Sequence, residues 1–138
     1  MIFVTIGTQA PFDRLIKAID EIVPQLNGEK VIAQVFESSY QVKNLETVGF
    51  LSPDAFNELF DEARLVVAHA GMGTIISALT MAKPLLILPR LASMGEHRND
   101  HQIATAKKMQ DLGYVEVAFD DRELVEKLLQ MSSSAADS

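Results

Sequence analysis

Short apolar runs alternate along this chain with segments in which apolar residues recur every three or four positions. Runs of the first kind are typical of buried strands, and the second spacing is typical of helices with one buried face. The runs that predict strands are 2–6, 31–36, 46–50, 64–68, 85–88 and 114–119. The spacing that predicts helices covers residues 12–26, 52–60, 72–81, 99–112 and 120–129.

Local signals indicate where several of these helices begin and end. Ser52 followed by Pro53 predicts a helix start, with the serine as cap and the proline at the first helical position. Gly113 is expected to end the fourth helix, and Asp120 or Asp121 is expected to cap the fifth.

The predicted strands are apolar throughout and alternate with helices. This pattern predicts a doubly wound, mostly parallel α/β sheet of the Rossmann-like type, covered by helices on both faces. Ligands of such sheets bind beyond the carboxyl ends of the strands. The loops at residues 7–11, 49–53, 69–74 and 89–102 are therefore expected to share one rim, where any chemistry takes place.

The chain has 138 residues, of which 48% are hydrophobic, and this length predicts a single domain. We expect residues 1–130 to form that domain and residues 131–138, MSSSAADS, to be a disordered tail. Twelve basic residues against 19 acidic ones give a net charge of -7, and the basic residues form no cluster. Nucleic acid is therefore not an expected partner.

The chain contains no cysteine, and its first residues lack the basic segment and cleavage signal of a secretory leader. These features predict a reducing, cytoplasmic location. The run from Leu65 to Ala82 contains no Asp, Glu, Lys or Arg and approaches the roughly 18 residues that a membrane-spanning helix needs. Because His69 and the pair Gly71 and Gly73 interrupt this run, a strand followed by a helix is the favoured interpretation.

The segment HAGMGT joins a predicted strand to a predicted helix. A helix that starts at Met72 or Gly73 presents free backbone N–H groups and the positive end of its dipole, which favour an anion such as phosphate. Gly71 and Gly73 would let phosphate oxygens approach the main chain, while Thr74 and His69 could donate hydrogen bonds. The alternative is that the glycines only make a tight turn and that His69 is a core histidine.

Other phosphate and metal motifs are absent. The loop lacks Gly-Lys-Ser/Thr, and Ile76 stands where the dinucleotide-binding motif has its third glycine. His97 and His101 are four residues apart, as zinc ligands on one helix face are, but Arg98 stands where the zinc-protease motif has its glutamate. We therefore expect no metal site.

The segments HAGMGTIISALTMAKPLLILPR and GEHRNDHQIATA resemble the donor-sugar half of inverting GT-B glycosyltransferases, in particular the carboxyl-terminal domain of family 28. Within that family the chain is most similar to small subunits of two-subunit enzymes. These are the PssE type of bacterial exopolysaccharide synthesis and the eukaryotic subunit that adds the second N-acetylglucosamine to the lipid-linked oligosaccharide. The likeness spans nearly the whole chain, from VTIGTQAPFDRLIKAID through VGFL to the helix after Asp100.

The resemblance implies that a UDP-sugar lies across the rim and that no cofactor or metal is needed. It places the diphosphate against Gly71, Met72, Gly73 and Thr74, with His69 and the loop of Gly7, Thr8 and Gln9 nearby. It assigns the uracil to Phe50 and Leu51, and the sugar hydroxyls to Asn99, Asp100, His101 and Gln102. Many relatives have a glutamate that binds both ribose hydroxyls where this chain has Ser77, and a serine can make one such hydrogen bond. Glu96 and His97 are the candidates for acceptor contact or proton transfer.

One GT-B domain lacks the acceptor-binding half of the enzyme. The resemblance implies a membrane-anchored subunit that supplies this half and a lipid-linked saccharide acceptor, with the present chain recruited from the cytoplasm to the inner face of the membrane. The predicted function is transfer of a hexosyl or hexuronosyl group in exopolysaccharide or cell-surface glycan synthesis. Two alternatives remain open, a non-catalytic sensor of nucleotides or nucleotide-sugars and a structural α/β interaction module.

Overall fold

A single sheet of six parallel strands forms the centre of the computed structural model, which describes residues 1–7, 10–35 and 40–136. The strands are β1 Ile2–Thr5, β2 Val31–Gln34, β3 Glu46–Val48, β4 Leu65–His69, β5 Leu85–Leu88 and β6 Glu116–Val117. Their order across the sheet is β3-β2-β1-β4-β5-β6, and every neighbouring pair is parallel. The predicted doubly wound parallel sheet is confirmed.

In the described part of the chain, five α-helices cover the two faces of the sheet. They are α1 Asp13–Ile22, α2 Pro53–Glu62, α3 Met72–Thr80, α4 His101–Leu112 and α5 Asp121–Ala136. Helices α1 and α5 pack on one face, and α2, α3 and α4 pack on the other. None of the helices in the described part of the chain combines the length and apolar character that crossing a bilayer requires.

The four central strands are apolar because both of their faces are covered. Successive side chains of a strand point to opposite faces of the sheet. In β1, Ile2 and Val4 therefore belong to the core under α1 and α5, whereas Phe3 belongs to the core under the other three helices. On that second face the Phe3 and Phe56 rings meet edge to face at 5.5 Å between centroids.

The order of the strands reverses between β1 and β4. The chain builds β1, β2 and β3 outward in one direction and then returns to add β4, β5 and β6 on the other side of β1. The loops that leave β1 and β4 therefore diverge and open a crevice at the carboxyl ends of these two strands. This reversal places the loop after Thr5 opposite the loop after His69.

Three residues that the sequence predicted at helix ends have that role in the structure. Ser52 caps α2, because its hydroxyl accepts a hydrogen bond of 3.2 Å from the Ala55 N–H. Asp120 caps α5, because its Oδ1 accepts a hydrogen bond of 2.7 Å from the Glu123 N–H. Gly113, with φ of 71°, ends α4 as expected.

Several element boundaries differ from the predicted ones, among them those of β6 and α5. Strand β6 has only two residues, whereas the sequence placed a strand over 114–119. Helix α5 continues to Ala136, whereas the sequence placed a disordered tail from residue 131. The helix extends because Ser132 is buried and its hydroxyl accepts a hydrogen bond of 3.2 Å from Arg64, a contact between distant residues. Residues 137 and 138 lie outside the described residues.

Candidate functional site

A cavity of about 1100 Å³ opens beyond the carboxyl ends of the strands, at the crevice between β1 and β4. Residues from all four loops that the sequence placed on one rim line this cavity. The lining residues are Thr5, Ile6, Gly7, Ala10, Gln34, Phe50, Leu51, Pro53, Phe56, Asn57, His69, Gly71, Gly73, Thr74, Ser77, Arg90, Glu96, His97, Arg98 and Gln102. Thr8 and Gln9, which the sequence placed near the diphosphate, lie outside the described residues.

The amino terminus of α3 forms part of the cavity wall. The helix begins at Met72 after Gly71, and among the described residues no side chain caps its first N–H groups. Gly73, Thr74 and, one turn later, Ser77 line the cavity, whereas the Met72 side chain is 45% exposed and does not line it. Uncapped N–H groups and the helix dipole give this wall a positive potential suited to an anion.

His69 lies at the end of β4, with its ring between two glycines. A β-carbon added to Gly71 would lie 2.3 Å from Cε1 of His69, and one added to Gly7 would lie 2.8 Å from the same atom. Both glycines therefore leave the space that the imidazole occupies. Burial, followed by the positive charges of Arg90 and His97, lowers the pKa of His69 to about 4, so the ring is neutral at physiological pH.

Gln102 joins the ends of two strands to helix α4. Its side-chain oxygen accepts hydrogen bonds from the backbone N–H groups of Ala70, at 3.2 Å, and Arg90, at 3.0 Å. Its side-chain nitrogen lies 3.1 Å from Nδ1 of His69. The sequence assigned Gln102 to the sugar hydroxyls, but the structure places most of this side chain inside the protein, where it is 8% exposed.

Arg90 is a buried cation that fixes the loop after β1. The side chain is 3% exposed and donates hydrogen bonds to the carbonyls of Ile6, Ala10 and Pro11 at 2.6, 2.8 and 2.8 Å. Its guanidinium also lies 4.6 Å from the ring centroid of Phe12, which is cation–π geometry. The loop after β1 is thereby held against the loop after β5.

Glu96 forms a close ion pair with Arg14. Its two carboxylate oxygens accept hydrogen bonds from Nε and Nη2 of Arg14 at 2.9 and 3.0 Å, and Oε1 also accepts one from the Leu91 N–H at 3.0 Å. Glu96 is a candidate for proton transfer, but both of its carboxylate oxygens already accept hydrogen bonds within the protein. The neighbouring candidate, His97, lines the cavity and accepts a hydrogen bond of 3.4 Å at Nδ1 from the Asn99 N–H.

The segment assigned to the sugar hydroxyls is not brought to the cavity as a whole. Asn99 Oδ1 accepts from the His101 N–H at 3.0 Å, and Asp100 Oδ1 accepts from the Ala92 N–H at 3.0 Å. Helix α4 begins at His101, so His97 and His101 do not share a helix face. Within residues 1–7, 10–35 and 40–136, no three histidine or acidic side chains meet in a group that could hold a metal ion.

The model of the glycosyltransferase family 28 C-terminal domain matches residues 1–137 of this sequence. The chain belongs to this family. Its extent matches the single doubly wound sheet described above, so the family 28 domain and the described fold coincide.

Curated relatives of this family 28 domain include the UDP-N-acetylglucosamine transferase subunit ALG13 of Mus musculus. The two are 28% identical over 123 residues, which is 82% of this chain and 10% of the mouse protein. The chain therefore spans about a tenth of the length of that relative. The same subunit of Eremothecium gossypii is 28% identical over 110 residues, 79% of this chain and 52% of that protein.

Solved structures share the fold of the family 28 domain. The NMR solution structure of ALG13 superposes with a TM-score of 0.63 at 24% identity, over 92% of this chain and 82% of that one. The spinosyn rhamnosyltransferase SpnG, complexed with spinosyn aglycone, superposes with a TM-score of 0.69 at 15% identity. That superposition covers 99% of this chain and 37% of the transferase.

Several cavity residues of the family 28 domain were not predicted from the sequence. Gln34 ends β2, where its side-chain oxygen accepts a hydrogen bond of 2.8 Å from the Thr5 hydroxyl at the end of β1. Thr5 and Gln34 are polar residues at the ends of otherwise apolar strands, and this pattern in the sequence could have indicated that they line the cavity. Arg90 and Arg98 lie in the loop after β5, and a basic residue near the end of a buried strand could have indicated Arg90.

Proposed function

We propose that this domain is the donor-binding subunit of an inverting glycosyltransferase that uses a UDP-sugar. The main support is the wall of the cavity at the strand-order reversal, where the amino terminus of α3 meets the neutral ring of His69. Membership of family 28 and the transferase names of the relatives agree with this proposal.

The diphosphate of the donor would lie against Gly71, Gly73 and Thr74. As the bond between the sugar and the diphosphate breaks, negative charge builds up on the departing UDP. Free N–H groups and the dipole of α3 stabilise that charge without reorganising, which is the role that a metal ion has in other enzymes. Displacement at the anomeric carbon is direct, so the configuration inverts.

The nucleoside would extend toward Phe50 and Leu51 on the opposite wall. Phe50 is 80% exposed at the edge of the cavity, so its ring face is free to stack on a base. Ser77 lines the cavity one turn into α3 and would give the ribose one hydrogen bond of about 1 kcal/mol. A charged carboxylate at the position of Ser77 would accept two hydrogen bonds from the ribose and would contribute more binding free energy.

The acceptor hydroxyl needs a base, and we assign that base to a partner protein. Because Arg14 and the Leu91 N–H already engage the Glu96 carboxylate, His97 is the remaining candidate on this chain. The partner we propose is a membrane-anchored subunit that binds a lipid-linked saccharide, as in PssE-type exopolysaccharide synthesis or assembly of another cell-surface glycan. It would recruit this chain to the inner face of the membrane.

Titration calorimetry with UDP, GDP and several UDP-sugars tests the donor site. We expect UDP to bind the unaltered protein and the Gly73→Asp variant to bind at least about 10-fold more weakly, because a carboxylate would face the diphosphate. Gln25→Asp adds the same charge at an exposed position before β2, at the opposite edge of the sheet, and should leave affinity unchanged. Equal losses in both variants, or no binding to either nucleotide, would refute the site and favour the interaction module.

Transfer activity tests the proposed division between two subunits. The domain alone should bind UDP-sugars without turnover, and turnover should appear when membranes containing its co-purifying partner are added. Release of UDP and a new glycosidic bond of inverted configuration are the readouts. Tight binding without turnover in the presence of that partner would favour the nucleotide sensor.

A further inference from the structure

The contacts of Gln102 fix the orientation of its side-chain amide. One end of the amide lies within hydrogen-bond distance of the backbone N–H groups of Ala70 and Arg90, at 3.2 and 3.0 Å. Backbone N–H groups only donate, so the atom that faces them must be the oxygen. The NH₂ group therefore points the other way, toward His69.

This orientation determines which nitrogen of His69 bears the proton. The amide nitrogen of Gln102 lies 3.1 Å from Nδ1 of His69, and an amide NH₂ can only donate. Nδ1 must accept and is therefore unprotonated. A neutral imidazole has one proton, which leaves it on Nε2.

The protonated nitrogen lies close to two glycines that line the cavity. A β-carbon built on Gly71 would lie 2.6 Å from Nε2 of His69, and one built on Gly7 would lie 2.9 Å from it. Both glycines line the cavity, and Gly71 directly precedes the first residue of α3. The Nε2–H group therefore lies beside the uncapped amino terminus of that helix.

We propose that Gln102 is a positioning residue that holds His69 in its Nε2–H form, so that the neutral ring donates one hydrogen bond into the cavity beside the first N–H groups of α3. The identity of the acceptor, a diphosphate oxygen of the donor, rests on the proposed function. The tautomer itself does not. Without Gln102 the ring could place its proton on Nδ1, and the bare Nε2 lone pair would then repel a phosphate oxygen.

Nitrogen-15 spectra of the imidazole rings in the ligand-free protein test the tautomer directly. We expect His69 to have a protonated Nε2 and an unprotonated Nδ1 and to keep this form from pH 6 to 8, because burial lowers its pKa to about 4. His97 and His101 are identified by the signals that disappear in His97→Gln and His101→Gln. A protonated Nδ1, or an even mixture of the two forms, would overturn the proposal whatever the protein binds.

Gln102→Glu provides the matched perturbation. One carboxylate oxygen can still accept from the N–H groups of Ala70 and Arg90, while the other now faces Nδ1 of His69 as an acceptor. We expect the proton to appear on Nδ1 and the pKa of His69 to rise. Gln110→Glu adds the same charge at an exposed position on the same helix and should leave the His69 spectrum unchanged. An unchanged ring in a folded Gln102→Glu protein would contradict the proposal.

Donor affinity gives a second readout that a purely structural role would not produce. The probe is UDP-N-acetylglucosamine, whose diphosphate is esterified at both ends and does not titrate in this range. The groups whose charge acts on the ring are Arg90 and His97, and Glu96, which lines the same cavity, is paired with Arg14. For Gln102→Glu we expect affinity at pH 8 to fall roughly 10-fold and to recover as the ring gains its second proton at lower pH.

The two proposals fail in different ways. If the spectra show the Nε2–H form but no UDP-sugar binds, the positioning role of Gln102 stands and the donor site does not. If a UDP-sugar binds the unaltered protein but affinity in Gln102→Glu falls equally at every pH, the donor site stands and the positioning role does not.

Discussion

Gly71, which directly precedes α3, and Gly73, in the first turn of that helix, meet different surroundings. A β-carbon at Gly71 would lie 2.3 Å from Cε1 of His69, well inside contact distance. Among the described residues, a β-carbon at Gly73 would have no heavy atom within 4 Å beyond its chain neighbours and the backbone of its own helix. Gly71 is therefore required by the protein itself, whereas the space beside Gly73 is available to a ligand.

Alanine substitutions at the two positions should have opposite effects on stability. Gly71→Ala should lower the free energy of unfolding by roughly 1–3 kcal/mol, because His69 or the backbone must move. Gly73→Ala should keep or raise it by up to about 1 kcal/mol, because alanine is the better helix former. Urea unfolding measures the difference, and the interpretation fails if Gly73→Ala is the more damaging change.

Phe50 gives a prediction about the nucleoside. Phe50→Ala should weaken UDP binding roughly 10-fold by removing a stacking surface, because stacking of a base on an aromatic ring contributes about 1–3 kcal/mol. Tyr114→Ala is the control, since Tyr114 is 63% exposed and does not line the cavity. Calorimetry compares the two. Equal affinities of the two variants would remove Phe50 from the site.

Among the elements, the buried strands and the helix starts could be predicted, because they depend on local sequence. An unbroken apolar run such as Leu85–Leu88 indicates a covered strand, and a serine before a proline indicates a cap. The extension of α5 and the contacts of Gln102 could not be predicted in this way. Both depend on residues distant in sequence, such as Arg64 for α5, whose proximity only the assembled sheet creates.

The segment that leads into β3 is attached to α1 by one buried carboxylate. Asp20 is fully buried in α1, and its oxygens accept hydrogen bonds from the Tyr40 hydroxyl at 2.6 Å and from three backbone N–H groups. These groups belong to Lys43, Asn44 and Leu45, at 3.0, 2.8 and 2.9 Å. Burial raises the pKa of Asp20, but these hydrogen bonds together lower it below its usual value.

Asp20→Ala should therefore lower the free energy of unfolding by roughly 3 kcal/mol, because it leaves buried donors without an acceptor. The folded protein has the lower pKa at this site, so the contribution of Asp20 is complete above the unfolded pKa and is lost as pH falls through the folded pKa. Urea unfolding between pH 3 and 7 measures this difference. Glu21→Gln, at the exposed neighbouring position, is the control, and equal pH dependence in the two variants would contradict the assignment.

At the scale of the whole molecule, the cavity lies at one edge of the sheet, and the contacts of the amino terminus and of α5 lie at the opposite edge. The cavity lies at the carboxyl ends of the strands, whereas Arg64, which holds the end of α5 through Ser132, lies directly before β4. Arg64 also pairs with Glu29, and Glu29 with the amino terminus. Residues substituted at that edge are thus separated from the cavity by the length of the strands.

Truncating the chain after Gln130 should separate stability from binding. The loss of Ser132 removes the hydrogen bonds that Arg64 donates to it, so the free energy of unfolding should fall by roughly 1 kcal/mol. UDP affinity measured by calorimetry should stay unchanged. A chain that ends at Ala136 is the control, and full stability of the shorter chain would mean that residues 131–136 are the dispensable tail that the sequence suggested.

The contact between His69 and Gly71 constrains the order in which descendants of this sequence can change. Gly71 has an ordinary backbone conformation, and the three atoms nearest to a β-carbon built there all belong to the imidazole of His69. A lineage that first replaces His69 with a smaller residue becomes free to replace Gly71, whereas the reverse order passes through a damaged protein. Gly7 gains no such freedom, because its φ of 81° still requires glycine after the imidazole is gone.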